Sequence, residues 1–350
     1  MRTSVIWGSV LSLGCVCSAT TLSEPAAGPH SYVLSATPET VVWGYYAASA
    51  RPVLTIHSGD TVEFHTLLVS TPAELEQAGV QAKDIEQSLR DVDQGVHNKG
   101  PGPHILNGPV YIEDSEPGDE LEVDIQRIAL AIAYGYNRYS PNLGFLPEDF
   151  PERRIKIIPI DVERRVAHFA QNVEIPVHPF FGSMGVAPPE NYGRIHSAPP
   201  GVHGGNMDNK ELVAGTKLFL PVHVRGALFE IGDGHAAQGN GEVDLTALET
   251  SLIGTLRFVV HKNIRLKYPR AETPTHYISM GFHQELYEAT RIAVREMIDF
   301  LVVDKHLSRE DAYMLVSVAG DVDVTELVDG NKGVHVMMPK NVFTNGEKLH

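Results

Sequence analysis

The distribution of apolar and polar residues divides the chain into a strand-like part and a helical part. From about residue 35 to 262, short runs of alternating polarity are separated by Gly, Pro and Asp. Segments 57–69 and 116–128 each contain a Gly-Asp turn followed by alternating apolar residues, which predicts half-buried strands. Segments 215–224 and 241–245 are predicted as strands in the same way. Short strands at this spacing favour a β-sandwich or barrel-like body.

Two segments interrupt this pattern. Residues 73–90 are polar, and they predict either a surface helix or an ordered insertion loop. Residues 134–151, YGYNRYSPNLGFLPEDFP, are loop-like and aromatic. We expect this second segment to form a wall or rim of a pocket.

The period of the apolar residues becomes helical after about Pro274. Between about residues 284 and 303 they recur every three or four positions, which predicts one long amphipathic helix. Ser308 with Asp311 three residues later resembles a capping arrangement and predicts a shorter helix through Val318. The apolar face of the long helix consists of Leu286, Ala289, Ala293, Met297 and Leu301.

These patterns predict a mainly β protein with an α+β C-terminal part. We expect a β-sandwich-like catalytic body over residues 35–262. A smaller α/β region with the long helix, residues 263–345, is expected to pack on it.

The first nineteen residues resemble a secretory signal peptide. Arg2 supplies a positive charge, residues 5–16 are mostly apolar, and the small residues at 17–19 suit a cleavage site. The apolar run is short for a bilayer span, which needs about 20 residues. We therefore predict a secreted or periplasmic protein, with an uncleaved anchor or a lipid-modified Cys15 as alternatives. Cleavage would leave no cysteine, and so neither a disulfide nor a thiol nucleophile.

The net negative charge of the chain argues against polyanionic binding partners. Among 350 residues, Asp and Glu number 44 and Lys and Arg 28, for a net charge of -16. No run of Lys and Arg provides a stripe for phosphate groups. Nucleic acid and anionic membrane surfaces are therefore not expected partners.

Sequence signatures of common hydrolases are absent, which leaves histidine and carboxylate chemistry. There is no His-Glu-x-x-His motif, and FGSMG has Phe181 where a nucleophile elbow requires glycine. Asp208 and His235 lie in glycine-rich segments at predicted strand ends. Imidazole and carboxylate are the ligands that zinc and similar metals use. The spacing alone leaves the existence of a metal site open.

Several motifs in a fixed order resemble the acetamidase/formamidase family. They are GPHILNGPVYIEDSEPGDELEV at 102–123, HPFFGSMGVAP at 178–188, HGGNMDNKELVAGTKLFLPVHV at 203–224, GDGHAAQGNGEV at 232–243 and MPKNVF at 338–343. The resemblance extends from about residue 53 to 343. It implies a metal-dependent hydrolase of short linear amides, or in some members of lactams, with a β-rich fold and a homo-oligomeric state.

The predicted site combines metal ligands with residues that transfer protons. We predict His104, Asp208, His235 and His203 as ligands of a divalent metal. Zinc is the first choice, and iron, manganese or an additional calcium are alternatives. The catalytic candidates are Glu113 as general base, Glu242 as acid/base or fourth ligand, and His178 as a donor to the developing oxyanion.

The predicted activity is hydrolysis of a formamide-like or acetamide-like amide to ammonia and a carboxylate. A metal-activated water would attack the carbonyl, because a bound metal lowers the pKa of its water and polarises the carbonyl oxygen. Two alternatives stay open at this point. One is a secreted metal-containing β-sandwich that only binds a ligand, and the other is a family member without catalysis.

Overall fold

The computed structural model describes residues 28–344, together with the isolated Met1 and Ser4. Apart from those two residues, the predicted leader lies outside the described residues. Within the described part of the chain, every helix is too short or too polar to cross a bilayer.

Among the described residues, strands make up most of the secondary structure, and there are four α-helices. The strands are β1 (Ser31–Ser35), β2 (Val41–Trp43), β3 (Tyr45–Ala47), β4 (Leu54–Ile56), β5 (Thr61–His65), β6 (Ile105–Ile112), β7 (Glu120–Leu130), β8 (Tyr134–Tyr139), β9 (Arg154–Asp161), β10 (Val166–Ala170), β11 (Val173–Pro176), β12 (Phe180–Gly185), β13 (Arg194–His196), β14 (Gly204–Asn206), β15 (Thr216–Pro221), β16 (Phe229–His235), β17 (Leu252–His261), β18 (Arg270–Glu272), β19 (His276–His283), β20 (Asp321–Glu326) and β21 (Lys332–Pro339). The helices are α1 (Pro72–Gln77), α2 (Gln87–Gly95), α3 (Leu286–Asp304) and α4 (Arg309–Ala319).

Two sheets pack face to face and enclose the main core. The larger has the order β1-β5-β17-β7-β15-β18-β19-β21-β20, and the other has the order β14-β12-β16-β6-β2, with β4 also paired to β6. Apolar residues at alternate positions of both sheets share one buried cluster. At its centre, the ring of Phe229 lies 6.1 Å from Phe64 and 5.0 Å from Phe258. The predicted mainly β, sandwich-like fold is therefore confirmed.

Two smaller sheets adjoin this sandwich. One has the order β11-β10-β9-β8, and β13 pairs with β3 in the other. Isolated bridges join Glu249 to both Tyr136 of β8 and His235 of β16. The small sheet that contains β8 is thus held next to the end of the central strand β16.

The C-terminal residues complete one half of the large sheet and cover it with helices. Strands β18 to β21 continue its hydrogen-bonded order, and α3 and α4 share a buried apolar cluster with β21. The predicted apolar residues of α3 from Ala289 to Leu301 are buried. Gly281 of β19 allows a close approach, because a Cβ there would collide with the backbone of Ala289.

The predicted elements agree with the structure in the helical part and less well elsewhere. Helix α3 confirms the helix predicted at 284–303. The Ser308 hydroxyl accepts a hydrogen bond from the backbone N–H of Asp311, 3.0 Å away, which confirms the predicted cap. The predicted strand segments 57–69, 116–128 and 215–224 contain β5, β7 and β15 respectively.

Three segments differ from the sequence-based predictions. The strand predicted at 241–245 is wrong, because Glu242 and Leu245 have φ values of 45° and 116°, which extended strands do not adopt. Residues 73–90 form α1, a 3₁₀ turn and the start of α2, instead of one helix or a loop. The first third of the predicted loop at 134–151 is strand β8, whose alternating aromatic residues include the fully buried Tyr136.

Candidate active site

A compact group of buried acids surrounds one imidazole at the end of β16. We call this the acid–imidazole cluster, and it consists of Asp208, Asp233, His235, Glu242 and Glu249. Each of these residues exposes at most 6% of its surface. Two overlapping sets, Asp208–His235–Glu242 and Asp233–His235–Glu249, place one ligand-type atom from each residue within 4.8 Å of the others. Both sets have a composition that could hold a metal ion.

The backbone around this cluster is unusual. Asp208, Asp233 and Glu242 have φ values of 48°, 57° and 45°, in the left-handed region that non-glycine residues rarely occupy. Such conformations cost about 1–3 kcal/mol each and persist where the surrounding structure enforces them. Three of the five cluster residues therefore hold their side chains in place at the expense of backbone strain.

The Nε2 atom of His235 faces two carboxylates. It lies 3.4 Å from Asp233 Oδ2 and 3.3 Å from Glu249 Oε1. On the other side of Asp233, the Nε2 atom of His104 is 3.8 Å from the same Oδ2 atom. Two imidazole nitrogens and two carboxylate oxygens therefore converge on this side of the cluster.

The opposite nitrogen of His235 is already engaged. Its Nδ1 atom lies 3.0 Å from Gln238 Oε1, and the Nε2 atom of the same glutamine donates to the Asp208 carbonyl at 2.8 Å. Because the glutamine nitrogen is committed to that carbonyl, its oxygen faces the imidazole and can only accept. In the neutral imidazole, the proton must then be on His235 Nδ1, which leaves Nε2 as the atom that can act as a ligand.

Gly182 of β12 provides the floor of the cluster. A Cβ atom at this position would lie 2.5 Å from Asp208 Oδ1 and 2.8 Å from His235 Cε1, and it would also collide with Asp233 Oδ2. The cluster atoms therefore converge on a space that exists because this residue lacks a side chain. The sequence FGSMG, which does not fit a nucleophile elbow, has this packing role instead.

An asparagine joins the cluster to the loop after β20. The side-chain Nδ2 of Asn206 donates to Asp208 Oδ2 at 2.6 Å and to Asp329 Oδ2 at 2.8 Å. Its oxygen accepts from the Ser183 hydroxyl at 2.6 Å, which fixes the orientation of the amide. The other oxygen of Asp208, Oδ1, is buried and has no hydrogen-bond partner among the described residues.

Burial and mutual repulsion separate the pKa values of the cluster. Burial opposes ionisation of Asp233, but His235 and His104 lower its pKa to about 2. Burial also opposes the charged form of His235, yet Glu249 and Asp233 raise its pKa well above the usual value. On the other side, burial together with nearby carboxylates raises the pKa of Asp208 and Glu242. His235 and Asp233 thus form an ion pair. On the other side of the cluster, Asp208 and Glu242 favour the protonated form of their carboxyls.

Two neighbouring cavities meet at this site. The first, about 430 Å³, is lined by cluster residues, by His104 and by the side chains of Tyr136 and Arg138. The second, about 820 Å³, is larger but contains only Glu242 of the cluster, together with His178 and apolar residues of β9 to β11. The smaller cavity is the candidate substrate site, because it contains the converging ligand atoms.

The structure brings together four of the seven residues that the sequence predicted for the site. His104, Asp208, His235 and Glu242 all line or adjoin the cluster. The other three lie elsewhere. Glu113 is near the surface, where its side chain is 45% exposed and its carboxylate lies 2.8 Å from the exposed His57. His178 is exposed at the rim of the larger cavity, and is not part of the cluster.

His203 is buried beside an aromatic ring instead of among the cluster residues. Its ring lies 4.9 Å from that of Tyr46 in an edge-on arrangement, and its Nε2 atom has no hydrogen-bond partner among the described residues. Burial lowers the pKa of His203 to about 3. This environment suits a neutral core imidazole.

The lowered pKa of His203 predicts a contribution to acid sensitivity. The unfolded side chain binds a proton below about pH 6.5, but the folded one does not until about pH 3. Stability from this group is therefore present above pH 6.5 and is lost as the pH falls. We expect the unfolding free energy of wild type to lose about 2 kcal/mol more between pH 7 and 5 than that of His203→Gln. Urea unfolding at both pH values measures this difference, and equal losses would contradict it.

Several site residues were missed by sequence reasoning. Asp233 stands in the motif GDGH next to a predicted ligand, so the motif itself contained the signal. Gln238 lies in the following AAQG, three residues after His235. Glu249 and Asp329 lie in ordinary strand-end and turn sequences, and no local pattern distinguishes them. Their roles depend on chain segments that meet only in the folded protein.

Comparison with known proteins identifies the family. The fold and site define a β-sandwich protein with a buried acid–imidazole cluster, and the model of the acetamidase/formamidase family matches residues 50–197 and 193–345. The chain belongs to this family, which confirms the resemblance seen in its motifs.

Solved structures and sequence relatives agree with this assignment. An acetamidase structure from Yersinia enterocolitica has 30% identity and a TM-score of 0.78, covering 91% of this chain and 95% of its own. An acetamidase structure from Bacillus halodurans has 30% identity and a TM-score of 0.75, and the match covers 89% of this chain and 98% of that structure's chain. A formamidase from Methylophilus methylotrophus is 25% identical over 213 residues, which cover 46% of this chain and 50% of the relative. The chain spans about half the length of the curated relatives it matches.

Proposed function

We propose that this protein hydrolyses the carbon–nitrogen bond of linear amides, and that it does so with a divalent metal held by the acid–imidazole cluster. The observation that carries the proposal is the convergence of His235 Nε2, Asp233 Oδ2 and Glu249 Oε1 in a buried site of an acetamidase/formamidase family member. Formamidase and acetamidase relatives support the choice of a small-molecule amide as substrate.

The residues present fit a small divalent cation. Two ligand atoms bound at about 2.0–2.1 Å from one ion at the tetrahedral angle are about 3.3–3.4 Å apart. The separations of 3.4 Å and 3.3 Å around His235 Nε2 agree with this spacing. His104 Nε2, at 3.8 Å from Asp233 Oδ2, is the fourth donor in reach. Mixed imidazole and carboxylate ligands favour zinc within this proposal.

The hydrogen bond from His235 to Gln238 supports this choice of ligand atoms. In the neutral imidazole it fixes the tautomer in which Nε2 has a free lone pair, which is the form that binds metals. His104 is held in a similar way, because its Nδ1 lies 2.9 Å from the Ser197 hydroxyl. Both imidazoles are therefore oriented by a second residue before any ion binds.

Proton transfer in this proposal is assigned to Glu242. A divalent metal at this position would polarise the amide carbonyl and supply a water of lowered pKa. As the water oxygen bonds to the amide carbon, Glu242 accepts the water proton and passes it to the nitrogen as the C–N bond breaks. Burial and Asp329 raise the pKa of Glu242, so its carboxyl holds a proton readily, and the positive charge of a bound metal would favour the ionised form that accepts the water proton.

The test is ammonia release by the purified protein before and after removal of metal. We expect turnover of formamide or acetamide, its loss after dialysis against a chelator, and its return with added Zn²⁺. Elemental analysis of the same preparation should find at least about one divalent ion per chain. Metal-dependent binding of amides without turnover would instead indicate a binding module, and turnover that is unaffected by chelation would contradict the metal site.

A homo-oligomeric state and a secreted or periplasmic location stay predictions of the sequence. Gel filtration of the full chain and fractionation of the producing cells would test them.

A further inference from the structure

We infer that the preferred substrates are linear amides that also carry a carboxylate, and that Arg138 binds this carboxylate; the inference rests on the proposed amide hydrolysis. The observation that carries it is a buried guanidinium nitrogen without an acceptor in the wall of the cavity that contains the cluster. Simple amides such as formamide would leave this group and much of the cavity unused.

Strand β8 directs Arg138 toward the site. Tyr136 and Arg138 are two residues apart, so their side chains lie on the same face of the strand, and both line the cavity of about 430 Å³. The intervening Asn137 is directed away and donates to the Asp244 carboxylate and the Thr246 carbonyl. The backbone of Tyr136 is bridged to Glu249, which fixes the strand relative to the cluster.

The guanidinium of Arg138 lacks full hydrogen bonding. Its side chain is only 16% exposed, and its Nε atom is buried without an acceptor among the described residues. The nearest carboxylate contact is from Nη1 to Glu74 Oε2, at 3.7 Å. That is beyond the range of a hydrogen bond.

Glu74 is already satisfied by other donors. Its Oε1 accepts from Arg153 at 2.6 Å, and its Oε2 accepts from the Ser70 hydroxyl at 3.2 Å. Glu74 therefore does not need Arg138 as a hydrogen-bond donor. A planar guanidinium with an unpaired N–H on its edge is well suited to bind a carboxylate through two parallel hydrogen bonds.

The size and lining of the cavity fit a substrate with two functional ends. Arg138 lies two residues along β8 from Tyr136, a distance of about 6.5–7 Å along the strand. Apolar side chains of Val69, Leu143 and Leu245 contribute to the wall of the same cavity. Because Tyr136 is bridged to Glu249 of the cluster, this backbone spacing is the guide to the linker, and about two to four carbons between amide and carboxylate match it at about 1.5 Å per C–C bond.

The acids of the cavity favour this orientation of the substrate. Asp233 and Glu249 lie beside His235, so with a divalent metal between them the cluster carries little net positive charge to attract the carboxylate of a substrate. Among the described residues that line this cavity, Arg138 is the one arginine or lysine. The amide is thereby directed to the cluster, and the carboxylate to the arginine.

The test compares acidic and neutral amides of equal chain length on the metal-loaded protein. Succinamate is paired with butyramide, and glutaramate with valeramide. We expect wild type to have the higher kcat/KM for the acidic member of each pair. In Arg138→Gln, kcat/KM for the acidic amides should fall by about 10–100-fold, mainly through KM, because a charge-assisted contact is lost. The kcat/KM values for the neutral amides should fall much less, so that the ratio of acidic to neutral amide within each pair decreases about 10-fold or more.

A matched control separates substrate binding from structural support. Arg153 contacts the same Glu74 carboxylate but does not line the cavity, so Arg153→Gln should leave the substrate preference unchanged. Arg138→Lys, which keeps the charge, should restore part of the preference for acidic amides. The inference is overturned if Arg138→Gln lowers both members of a pair equally, or if wild type prefers the neutral amides.

Failure of the proposed function would be seen separately. If no amide is hydrolysed, the proposed function fails, and equilibrium binding of succinamate then decides the inference. Binding that is at least about tenfold tighter to wild type than to Arg138→Gln supports the carboxylate site. Equal binding to both proteins rejects it.

Discussion

Replacing His235 with glutamine is expected to abolish tight metal binding and to lower kcat/KM for amide hydrolysis by about 10³-fold or more. The imidazole lies between Asp233 and Glu249, and its Nε2 atom, a ligand in the proposed metal site, is common to both short contacts. A metal ion supplies several kcal/mol of transition-state stabilisation, and about 4 kcal/mol corresponds to about 10³-fold in rate. Metal content by elemental analysis and ammonia release by the same sample are the measurements.

Variants of neighbouring residues make this prediction specific. His223→Gln removes an imidazole that is hydrogen-bonded to the Val202 carbonyl and lies outside the acid–imidazole cluster, and it should retain metal and activity. Gln238→Leu removes the acceptor that fixes the His235 tautomer, and it should weaken metal affinity by about 10–100-fold without abolishing it. A His235→Gln protein that still binds metal as tightly as wild type would refute the proposed ligand set.

Replacing Gly182 with alanine is expected to have the second large effect. The added methyl would lie 2.5 Å from Asp208 Oδ1 and 2.8 Å from His235 Cε1, closer than non-bonded atoms approach. Since the surrounding residues are buried and strained, the cluster has to shift. A displacement of about 1 Å at a catalytic site can cost about 10²-fold in rate. We expect kcat/KM to fall by about 10²-fold or more, together with metal affinity.

The control for this substitution is another glycine in the same region. Gly239 adjoins Gln238 in sequence, and a Cβ atom there would have no neighbour within 4 Å. Gly239→Ala should therefore retain activity within a few-fold. If Gly182→Ala instead loses stability but keeps full activity per folded molecule, the floor of the cluster is not where the structure places it. Thermal unfolding of both variants distinguishes these results.

The helical part of the chain could be predicted from the sequence because its signals are local. The apolar residues of α3 follow one face of a helix, and Ser308 caps α4 through an N–H three residues away. Both features depend on residues within a few positions of each other. The strand prediction at 241–245 failed for the opposite reason. There the positive φ values and the burial of Glu242 result from packing against distant segments.

The site was only partly predictable. His104, Asp208, His235 and Glu242 stand in motifs that the family resemblance singled out. Glu249 reaches the cluster because its backbone bridges both β8 and the end of β16. Glu113, the predicted general base, directly follows β6, and its side chain lies at the surface beside His57. Alternation gives the face of a strand without showing whether that face borders a cavity.

The sequence by itself determined the mainly β fold, the C-terminal helices and the family, because these are recorded in periodicity and in ordered motifs. Only the tertiary structure decided which acids surround His235 and which of its nitrogens is free. It also placed Arg138 in the wall of the same cavity. These properties depend on distances of a few ångströms between residues up to about a hundred positions apart, which are set by sheet packing and burial instead of by neighbours along the chain.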